Sequence, residues 1–590
     1  MLERSGSMKT TGNIFLEESF RQDESGVWVL KGHSSFGYSD GAETELYISK
    51  VISNAEDLSP NSKALHNHII DWPSEYHLSH KRAQLLQGLN FCSSSKVLEI
   101  GCGCGAITRH LAEQYHSVVA IEGSLNRAKI AKSRVRDLDN VTIICAPFQD
   151  VLLSEKFDLI FCIGVLEYSA SFFSGVDPYS HALSSIREKL AKDGALVLAI
   201  ENRLGAKYFA GRPEDHVGYP YEGLHGYPLF GGKVQTFGRY ELELMLKKYF
   251  PSLEWLYPFP DYKLPSCIVD HEFLTSGCAN QMISEVVSER TFSPAMRNRI
   301  SMRLMTLQLG KNRILQDLAN SFLVIASCKA SAPKAFPQRA ILYSTSRRAR
   351  FHVGTRVINS GDSFKAVKFA ISKPRRGSDG KLQHRIAPSD WSDGFSLHTN
   401  MLTVSRRKDF ENQFLIAGLE SWCDYVRGFS LAGGFVSGEL VDATWSNVFV
   451  QGGSCKVIDA EWVWGQPVKF EVLFIRASYL FLREANLLVP KGGLTKYRSG
   501  KSQIDRLGRI LDIKISRQDF EDFIDLESDF SHLALGTRRY LTQFRLRCFL
   551  LRPRYLYMAE SLPKYFRAPI ARTNLAIKRW LRRILAMMRK

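Results

Sequence analysis

The residues best placed to do chemistry follow an apolar segment at residues 97–100 that contains Glu99. Three glycines come next at alternate positions: Gly101, Gly103 and Gly105. Glycine lets the main chain turn sharply and touch a ligand directly, because it has no Cβ. A strand, a glycine turn and the start of a helix form a nucleoside pocket in doubly wound sheets. The spacing leaves open a dinucleotide site, whose usual pattern is Gly-x-Gly-x-x-Gly.

Three further apolar segments predict the strands that position this turn. Residues 117–122 end in Glu122, which is placed to accept the two ribose hydroxyls of an adenosine. Residues 141–145 are followed by Phe148 at the strand tip, and residues 157–164 form the fourth segment. Strands that alternate with helices in this way pair in parallel, because each crossover needs a helix.

These segments together resemble the class I S-adenosylmethionine-dependent methyltransferases, and residues 163–168 are similar to that family's fourth motif. The resemblance implies an α/β fold with a Rossmann-like seven-stranded sheet and S-adenosylmethionine as the cofactor. It also implies that the glycine loop surrounds the methionine end, that Glu122 holds the ribose and that Phe148 borders the adenine. The implied cofactor-binding residues are Glu99, Gly101, Gly103, Gly105, Glu122, Phe148 and Gly164. A Rossmann-like domain without a cofactor is the alternative interpretation.

A narrower resemblance concerns methyltransferases encoded with bacterial surface-polysaccharide assembly. Four strings are similar to that group: residues 72–79, 200–209, 213–216 and 257–263. This resemblance implies a glycan or lipid-linked oligosaccharide acceptor, and glycosyltransferases of polysaccharide assembly as partners. It implies an inserted acceptor-side loop at residues 201–239, and long insertions in compact domains are usually binding loops or lids.

The chemical class of the acceptor decides which side chains are needed. Methyl transfer is an in-line displacement, so the enzyme mainly aligns the acceptor atom with the sulfonium methyl. A sugar hydroxyl needs a base, for which His216 and Asp215 are the catalytic candidates. A phosphate acceptor needs cations instead. The cationic candidates are Arg203, Lys207 and Arg212, and the resemblance places Tyr76 and Tyr168 at the acceptor pocket.

A chain of 590 residues is too long for one core and predicts several domains. The predicted divisions are an N-terminal extension at residues 1–70, a methyltransferase domain at 71–330, a kinase-like domain at 336–530 and a basic helical tail at 531–590. Alternating residues at 340–343, 351–358 and 364–371 predict a small antiparallel sheet in the kinase-like domain. Lys368 on that sheet is the candidate phosphate-binding lysine, with Lys365 as the alternative.

Asp442 and Asn447 have the Asp-x-x-x-x-Asn spacing of a kinase catalytic loop, and Asp459 follows a short apolar segment. In such a site one Asp accepts the proton of the acceptor, while the Asn and the second Asp hold Mg²⁺ against the phosphates of ATP. The segment resembles α+β protein-kinase-like and aminoglycoside-kinase-like phosphotransferases. Leu440 and Val441 replace the usual His-Arg or His-Gly, and the sequence has no glycine-rich phosphate loop. An active kinase and a pseudokinase therefore both stay open.

The order of the two domains resembles bifunctional enzymes that phosphorylate the terminal sugar of an O-antigen chain and methylate that phosphate. Tethering two such sites raises the effective concentration of the shared intermediate. Two alternatives stay open. One is a monofunctional sugar methyltransferase with a pseudokinase or recruitment domain at the membrane, and the other is a membrane scaffold.

Positive charge is concentrated in the tail. Residues 531–590 contain fifteen Lys and Arg against one acidic residue, so they carry +14 of the formal net charge of +18. At residues 575–588, apolar residues recur every three or four positions opposite a basic face. This pattern predicts an amphipathic helix on an anionic membrane surface, and a helix packed on its own domain is the alternative. The basic run lacks a nucleic-acid reading motif, so no nucleic acid partner is expected.

Composition also predicts the compartment. The sequence has no run of about 18 apolar residues that could span a bilayer, and residues 1–13 lack the apolar core of an export signal. Eleven scattered cysteines without zinc-type spacing indicate free thiols in a reducing compartment. We therefore expect a cytoplasmic protein that is peripheral at the inner face of the cell membrane.

Overall fold

The computed structural model describes residues 19–33, 40–151, 155–229, 234–287, 300–371, 380–411, 413–488, 492–497 and 499–552. The chain divides into two compact units. The first unit contains residues 1–377 and 386–395, and the second contains residues 378–385 and 396–590. This division falls later in the chain than the boundary expected at residues 330–336. The amphipathic segment expected at residues 575–588 lies outside the described residues.

The described residues contain strands whose bounds are β1 (Phe20–Gln22), β2 (Trp28–Leu30), β3 (Lys96–Ile100), β4 (Ser117–Glu122), β5 (Val141–Cys145), β6 (Phe157–Ile163), β7 (Leu190–Glu201), β8 (Ser252–Phe259), β9 (Cys267–Asp270), β10 (Ser321–Ser327), β11 (Ala340–Ser344), β12 (Val353–Ser360), β13 (Ser363–Ala370), β14 (Leu382–His384), β15 (Ser389–Asp390), β16 (Phe435–Val436), β17 (Val448–Gln451), β18 (Ser454–Val457), β19 (Trp462–Trp464) and β20 (Val468–Lys469).

The α-helices within the same residues are α1 (Ala42–Ser53), α2 (Lys63–His66), α3 (Trp72–Leu78), α4 (Lys81–Gln84), α5 (Ala106–Gln114), α6 (Leu125–Arg134), α7 (Pro178–Lys189), α8 (Ala206–Phe209), α9 (Arg239–Lys247), α10 (His271–Ser276), α11 (Asn280–Val286), α12 (Met302–Lys311), α13 (Leu315–Leu318), α14 (Leu397–Val404), α15 (Gln413–Arg427), α16 (Phe470–Ala485), α17 (Gly500–Ile510), α18 (Arg517–Leu535) and α19 (Arg539–Leu551). None of these described helices is long and apolar enough to cross a bilayer.

One large mixed sheet organises the first unit. Its strands lie in the order β1-β2-β5-β4-β3-β6-β7-β10-β8-β9-β11-β12-β13-β15. The run from β5 to β7 is parallel, and β10 lies antiparallel between β7 and β8. The expected Rossmann-like α/β fold is confirmed by this central run, in which sequential strands β3, β4 and β5 are joined by helices.

Within the described ranges the sheet has fourteen strands rather than the seven that were expected, because further strands pair with both edges of the central run. At one edge β2 pairs in parallel with β5. At the other edge β9 pairs with β8, and β11 pairs with β9. The strands expected to form a small antiparallel sheet are β11, β12 and β13. They do pair antiparallel with one another, but they do not form a sheet of their own. They continue the large sheet through the hydrogen bonds between β9 and β11.

The central strands are buried on both faces, which explains why they are almost continuously apolar. On one face, Leu98 and Ile160 pack with apolar residues of α7 and α9. On the other face, Val97 and Phe161 pack with apolar residues of α5 and α6. Helices on both faces leave only the strand ends open, so a ligand site in this unit is expected at the carboxyl edge.

The second unit is mainly helical, and its described strands form three two-stranded sheets: β14-β19, β16-β20 and β17-β18. Trp422 and Trp445 are buried at its core in edge-to-face contact, with ring centroids 5.9 Å apart. Within the part of the expected tail that the structure describes, Arg547 is ion-paired with Glu521 of α18 at 2.6 Å. At least one basic residue of the tail therefore holds α19 against α18.

Candidate cofactor and acceptor site

A cavity of about 450 Å³ opens at the carboxyl ends of β3, β4 and β6. Most residues expected to bind the cofactor or to act in methyl transfer line it. These lining residues are Glu99, Gly101, Gly103, Glu122, Phe148, Gly164, Asp215 and His216. Gly105 lies next to the lining as the N-terminal cap of α5. The structure thus brings together residues that are more than a hundred positions apart in the sequence.

The glycine loop is shaped by its close neighbours. Gly101 has a φ of 74°, and a Cβ there would overlap the side chain of Val165. Gly105 has a φ of 77°, and its Cβ would lie 2.9 Å from the Cα of Ala131 in α6. L-residues with side chains rarely adopt such φ values. The two glycines therefore let the loop pass the cavity floor and let α5 start close to α6.

Glu122 is fixed by the loop that it faces. One carboxylate oxygen accepts the backbone N–H of Gly103 at 2.7 Å, and the other accepts that of Ser124 at 3.0 Å. A carboxylate oxygen has more than one lone pair. Both oxygens can therefore still accept a ligand hydroxyl from the cavity, as the ribose assignment requires.

Glu99 and Phe148 stand at different positions along the cavity wall. Glu99 is buried, and burial raises its pKa to about 7. One of its oxygens has no hydrogen-bond partner among the described residues. Phe148 packs edge-on against Phe172 and Phe173, which gives the wall beside it an aromatic surface.

The acceptor side of the cavity contains a buried cluster that the sequence predicted only in part. His216 Nε2 lies 3.2 Å from a carboxylate oxygen of Glu201 and 4.0 Å from one of Glu167. The hydroxyl of Tyr168 lies 2.9 Å from the other ring nitrogen, Nδ1. Glu167 and Glu201 were not among the expected site residues. We call Glu167, Glu201 and His216 the acidic-histidine cluster.

Lys263 joins this cluster to Asp215. Its Nζ lies 2.6 Å from a carboxylate oxygen of Glu201 and 2.6 Å from one of Asp215, and Lys207 lies 2.9 Å from Asp215. Burial favours the neutral acid, but the two ammonium groups hold the pKa of Asp215 below its usual range. An ion-paired carboxylate of low pKa is a weak base, so His216 is better suited than Asp215 to act as a base.

The charges in the acidic-histidine cluster shift one another. Burial raises the pKa of Glu167, and the charge of Glu201 adds to the effect. Burial opposes the charged form of Glu201, but the Lys263 ammonium holds its pKa well below the usual range. Burial also opposes the imidazolium of His216, but the neighbouring carboxylates raise its pKa. Strongly shifted groups in a cavity are typical of functional sites.

The N-terminal part of the chain also contributes to the cavity, which the sequence did not indicate. Asp40 lines it together with His77 and Arg127. The Asp40 carboxylate lies 2.9 Å from His77 Nε2 and 3.6 Å from an Arg127 nitrogen. Asp40 lies in the region treated as an extension, so only the three-dimensional structure identifies it.

The residues expected to form a kinase-like site lie in both units. Lys368 and Lys365 lie on β13 in the large sheet of the first unit, because β13 pairs with β12. Asp442, Asn447 and Asp459 belong to the second unit. The candidate phosphate-binding lysine and the Asp442–Asn447 loop therefore belong to different units.

The loop itself is compact. The Asn447 side chain donates a hydrogen bond to the backbone carbonyl of Asp442 at 3.0 Å. The Asp442 carboxylate accepts the backbone N–H of Glu461 at 2.8 Å, which brings the segment after β18 beside it. Burial and the charge of Asp459 raise the pKa of Asp442 to about 7. Two acids and an amide thus lie close together within the second unit.

A family model matches part of the first unit. Residues 98–198 match the family model described as a methyltransferase domain. The chain is 30% identical over 120 residues to (S)-coclaurine N-methyltransferase of Thalictrum flavum subsp. glaucum, covering 20% of this chain and 30% of that protein. It is 29% identical over 155 residues to the ubiquinone biosynthesis O-methyltransferase of Histophilus somni, covering 23% of this chain and 62% of that protein. The chain thus spans less than two thirds of either relative.

Among solved structures, the chain is similar to the N-methyltransferase NodS of Bradyrhizobium japonicum in complex with S-adenosyl-L-homocysteine. The identity is 20%, the similarity covers 27% of this chain and 74% of that chain, and the TM-score is 0.20. It is also similar to the complex between the Haloferax volcanii Trm112 methyltransferase activator and a methyltransferase. For that structure the identity is 12%, the similarity covers 44% of this chain and 91% of that chain, and the TM-score is 0.28.

Proposed function

We propose that this chain, which contains a Rossmann-like class I methyltransferase domain at residues 98–198, transfers the methyl group of S-adenosylmethionine to a hydroxyl oxygen of a glycan. The observation that carries this proposal is the cavity in which the glycine loop and Glu122 face the acidic-histidine cluster. The carboxylate of Glu122, at the end of the second strand of the central run, suits a ribose diol. The cluster suits an acceptor that loses a proton.

A hydroxyl suits the acceptor side better than a phosphate does. Glu167 and Glu201 are fully buried there, and an anion beside two buried carboxylates is repelled strongly because the local dielectric constant is low. Lys207 and Lys263, the nearest cations, are already ion-paired with Asp215. A neutral hydroxyl can instead donate a hydrogen bond to a carboxylate.

The strings that resemble polysaccharide methyltransferases support the glycan acceptor. Three of the four strings supply lining residues of the cavity, including Tyr76, His216 and Lys263. The remaining string supplies Glu201, which is ion-paired with His216 and Lys263. Segments that are distant in sequence and share one family resemblance therefore meet on the acceptor side of the cavity.

The proposed reaction forms a bond between the acceptor oxygen and the methyl carbon while the bond between sulfur and that carbon breaks. The electron pair of the broken bond stays on sulfur, which yields S-adenosylhomocysteine. The proton of the hydroxyl is taken up by the acidic-histidine cluster, because only a hydroxyl acceptor needs a base. The rest of the cavity aligns oxygen, carbon and sulfur for the displacement.

Incubation of the full chain with S-adenosylmethionine carrying a deuterated methyl group and a mannose-type oligosaccharide tests this proposal. Mass spectrometry should find one labelled methyl on a sugar hydroxyl. His216→Gln should abolish the transfer, whereas the control His225→Gln, an exposed histidine of the same loop, should retain it. Failure to bind the cofactor, or transfer only to a phosphorylated oligosaccharide, would overturn the proposal.

We propose phosphoryl transfer as a second function, located in the second unit. The hydrogen bonds that gather Asp442, Asn447 and the segment around Asp459 support it. In this proposal Asp442 accepts the proton of the acceptor, and Asn447 and Asp459 hold Mg²⁺ against the phosphates of ATP. A pseudokinase that only recruits the glycan is the competing proposal.

We also propose that the basic residues of the C-terminal segment contact an anionic membrane surface, where lipid-linked oligosaccharides and their glycosyltransferases meet the enzyme. The excess of Lys and Arg in residues 531–590 supports this, because each basic residue near an anionic surface adds about 1 kcal/mol of attraction. Co-sedimentation with vesicles that contain anionic lipid tests it, and neutral vesicles are the control. Equal sedimentation with both kinds of vesicle would contradict it.

A further inference from the structure

We propose that Glu167, Glu201 and His216 form a binding site for one divalent metal ion on the acceptor side of the cavity. One carboxylate oxygen from each glutamate and one imidazole nitrogen lie within 4.8 Å of one another. Ligands placed about 2.1 Å from a common ion lie roughly 3–4 Å apart, so small side-chain adjustments are enough. The proposal rests on the proposed function for the role of the ion, but not for its binding.

The polar atoms of the cluster need a partner. Both oxygens of Glu167 have no hydrogen-bond partner among the described residues. The oxygens of Glu201 are contacted through the ion pairs with Lys263 and His216. The two glutamate side chains are 0% exposed, and the histidine side chain is 6% exposed. Buried polar atoms are nearly always hydrogen-bonded or bound to an ion, because their desolvation is otherwise uncompensated. A cation between them would bind one oxygen of each glutamate and the imidazole nitrogen.

The ligand set indicates the class of metal. Carboxylates suit Mg²⁺ and Mn²⁺. An imidazole favours Mn²⁺, Fe²⁺ or Zn²⁺ over Mg²⁺. Three protein ligands leave coordination positions open, which is the arrangement of catalytic rather than structural sites. We therefore assign the site to a divalent transition metal, with Mn²⁺ as the probe and Zn²⁺ as its competitor.

The residues around the cluster would orient its ligands. Histidines that bind a metal usually form a hydrogen bond through their second ring nitrogen. His216 does so, because its Nδ1 lies 2.9 Å from the hydroxyl of Tyr168, which leaves Nε2 directed at the carboxylates. Lys263 contacts Oε1 of Glu201, while Oε2 is the oxygen nearer to His216. His216 and Glu201 thus each have one atom held by a neighbouring side chain and one that faces the cluster.

The charge of the cluster also favours a cation. The carboxylates of Glu167, Glu201 and Asp215 outnumber the ammonium groups of Lys207 and Lys263 by one, so the group is formally −1 with a neutral His216. A divalent ion would change this to +1, the sign that stabilises an acceptor oxygen as it loses its proton. Bound ions lower the pKa of an oxygen ligand, and the second oxygen of Glu167 can then take the proton.

Titration of the full chain with MnCl₂, followed by electron paramagnetic resonance of free Mn²⁺, tests the site. The chain should bind an equivalent of Mn²⁺ that Zn²⁺ displaces. Glu167→Gln should weaken that binding by at least about 10-fold, because even changes behind a ligand lower metal affinity by 10- to 100-fold. Asp459→Asn changes the proposed Mg²⁺ site of the second unit and so tells the two sites apart. The control Glu56→Gln, which changes an exposed carboxylate, should retain the Mn²⁺ binding.

Several outcomes would overturn the proposal. The first is that the chain binds no Mn²⁺, and the second is that Glu167→Gln binds Mn²⁺ as tightly as the unaltered chain. The third is that Asp459→Asn, and not Glu167→Gln, loses the bound Mn²⁺. Circular dichroism checks that Glu167→Gln folds. If it does not fold, Tyr168→Phe is the substitute and should lower the affinity by about 10-fold. Calorimetry with S-adenosylmethionine separates the two proposals. Cofactor binding without Mn²⁺ binding would overturn the metal site alone. Mn²⁺ binding without cofactor binding would overturn the proposed function alone.

Discussion

Glu122 is the residue whose removal isolates cofactor binding. Backbone N–H groups of Gly103 and Ser124 fix its carboxylate before any ligand arrives. Glu122→Ala should weaken S-adenosylmethionine binding by about 100-fold, since two charge-assisted hydrogen bonds of about 1.5 kcal/mol each are lost. Isothermal titration calorimetry measures the affinity, with Glu56→Ala as the control for an exposed carboxylate. Equal affinity in Glu122→Ala and the unaltered chain would contradict the ribose assignment.

Lys263 is the residue on which the charge balance of the acceptor side depends. Lys263→Met should lower the free energy of unfolding by about 3–5 kcal/mol, because Glu201 loses its buried cation and Asp215 keeps only Lys207. Urea denaturation measures the loss. The control Lys96→Met breaks a solvent-accessible ion pair and should cost less than about 1 kcal/mol. Similar losses in both variants would show that the buried pairs are not stabilising.

At the scale of elements, the sequence predicted strands better than it predicted their partners. The apolar runs of β3, β4, β5 and β6 were recognised because burial on both faces leaves a continuous apolar pattern. The alternation in β11, β12 and β13 was recognised too, but alternation does not specify which strand lies alongside. Pairing with β9 depends on contacts between residues far apart in the sequence.

The approach of α5 to α6 depends on Gly105. Gly105→Ala should destabilise the protein in two ways: the positive φ costs about 1 kcal/mol, and overlap with Ala131 adds about 1–3 kcal/mol. Gly361→Ala is the matched control, because Gly361 also has a positive φ but has nothing within 4 Å of its Cβ position. Thermal or urea unfolding should rank Gly105→Ala as the less stable variant, and equal stability would refute the packing argument.

A cluster of three histidine rings joins α2, the start of α4 and the residue before β12. The ring of His80 lies 4.6 Å from that of His66 and 5.2 Å from that of His352. Burial lowers the pKa of His80 to about 2, and the charges of His66, His352 and Lys81 act in the same direction. Its Nε2 has no hydrogen-bond partner among the described residues. The native state therefore keeps the His80 imidazole neutral at pH values where the same imidazole is protonated in the unfolded chain.

This histidine cluster predicts a loss of stability in mild acid. His80 has an unfolded pKa of about 6.5, so its contribution is complete above that pH and falls as the pH drops toward the folded pKa. Between pH 7.5 and 5.0 the loss should be about 2 kcal/mol. His80→Phe keeps an aromatic ring without a titrating group, and its denaturation should depend less on pH by that amount. An identical pH dependence in both proteins would contradict the prediction.

The acidic-histidine cluster shows why the sequence predicted the cofactor side of the site more fully than the acceptor side. The glycine loop and Glu122 are close in sequence and follow a known spacing. Glu167 lies in a short 3₁₀ helix after β6, and Glu201 is the last residue of β7. No spacing relates these residues to His216, because the three meet only when β6, β7 and the inserted loop are assembled.

At the scale of the whole molecule, the chain combines two units whose proposed chemistries can be separated. The boundary was expected at residues 330–336 because a buried antiparallel strand, β10, was taken as the last strand of the first domain. The sheet continues for several strands beyond it. Lys368 is therefore part of the first unit, whereas Asp442, Asn447 and Asp459 belong to the second.

The two proposed activities should respond independently to a change in Asp442. The full chain, given ATP, Mg²⁺, labelled cofactor and a mannose-type oligosaccharide, should add both a phosphate and a methyl group, which mass spectrometry resolves. Asp442→Asn should slow phosphate addition by about 100-fold or more, because it removes the proposed proton acceptor. Methyl addition to the neutral oligosaccharide should continue at the original rate, since its acceptor is a hydroxyl.

The matched control for this experiment is Asp424→Asn, which changes an exposed aspartate of α15 in the same unit. It should keep both activities. The absence of phosphate addition in the unaltered chain would identify the second unit as a pseudokinase and leave the first proposal standing. A methyl group that appears only when ATP is present would instead mean that the phosphate is the methyl acceptor. That result would contradict the hydroxyl assignment, because Glu167 and Glu201 would then face an anion inside the protein.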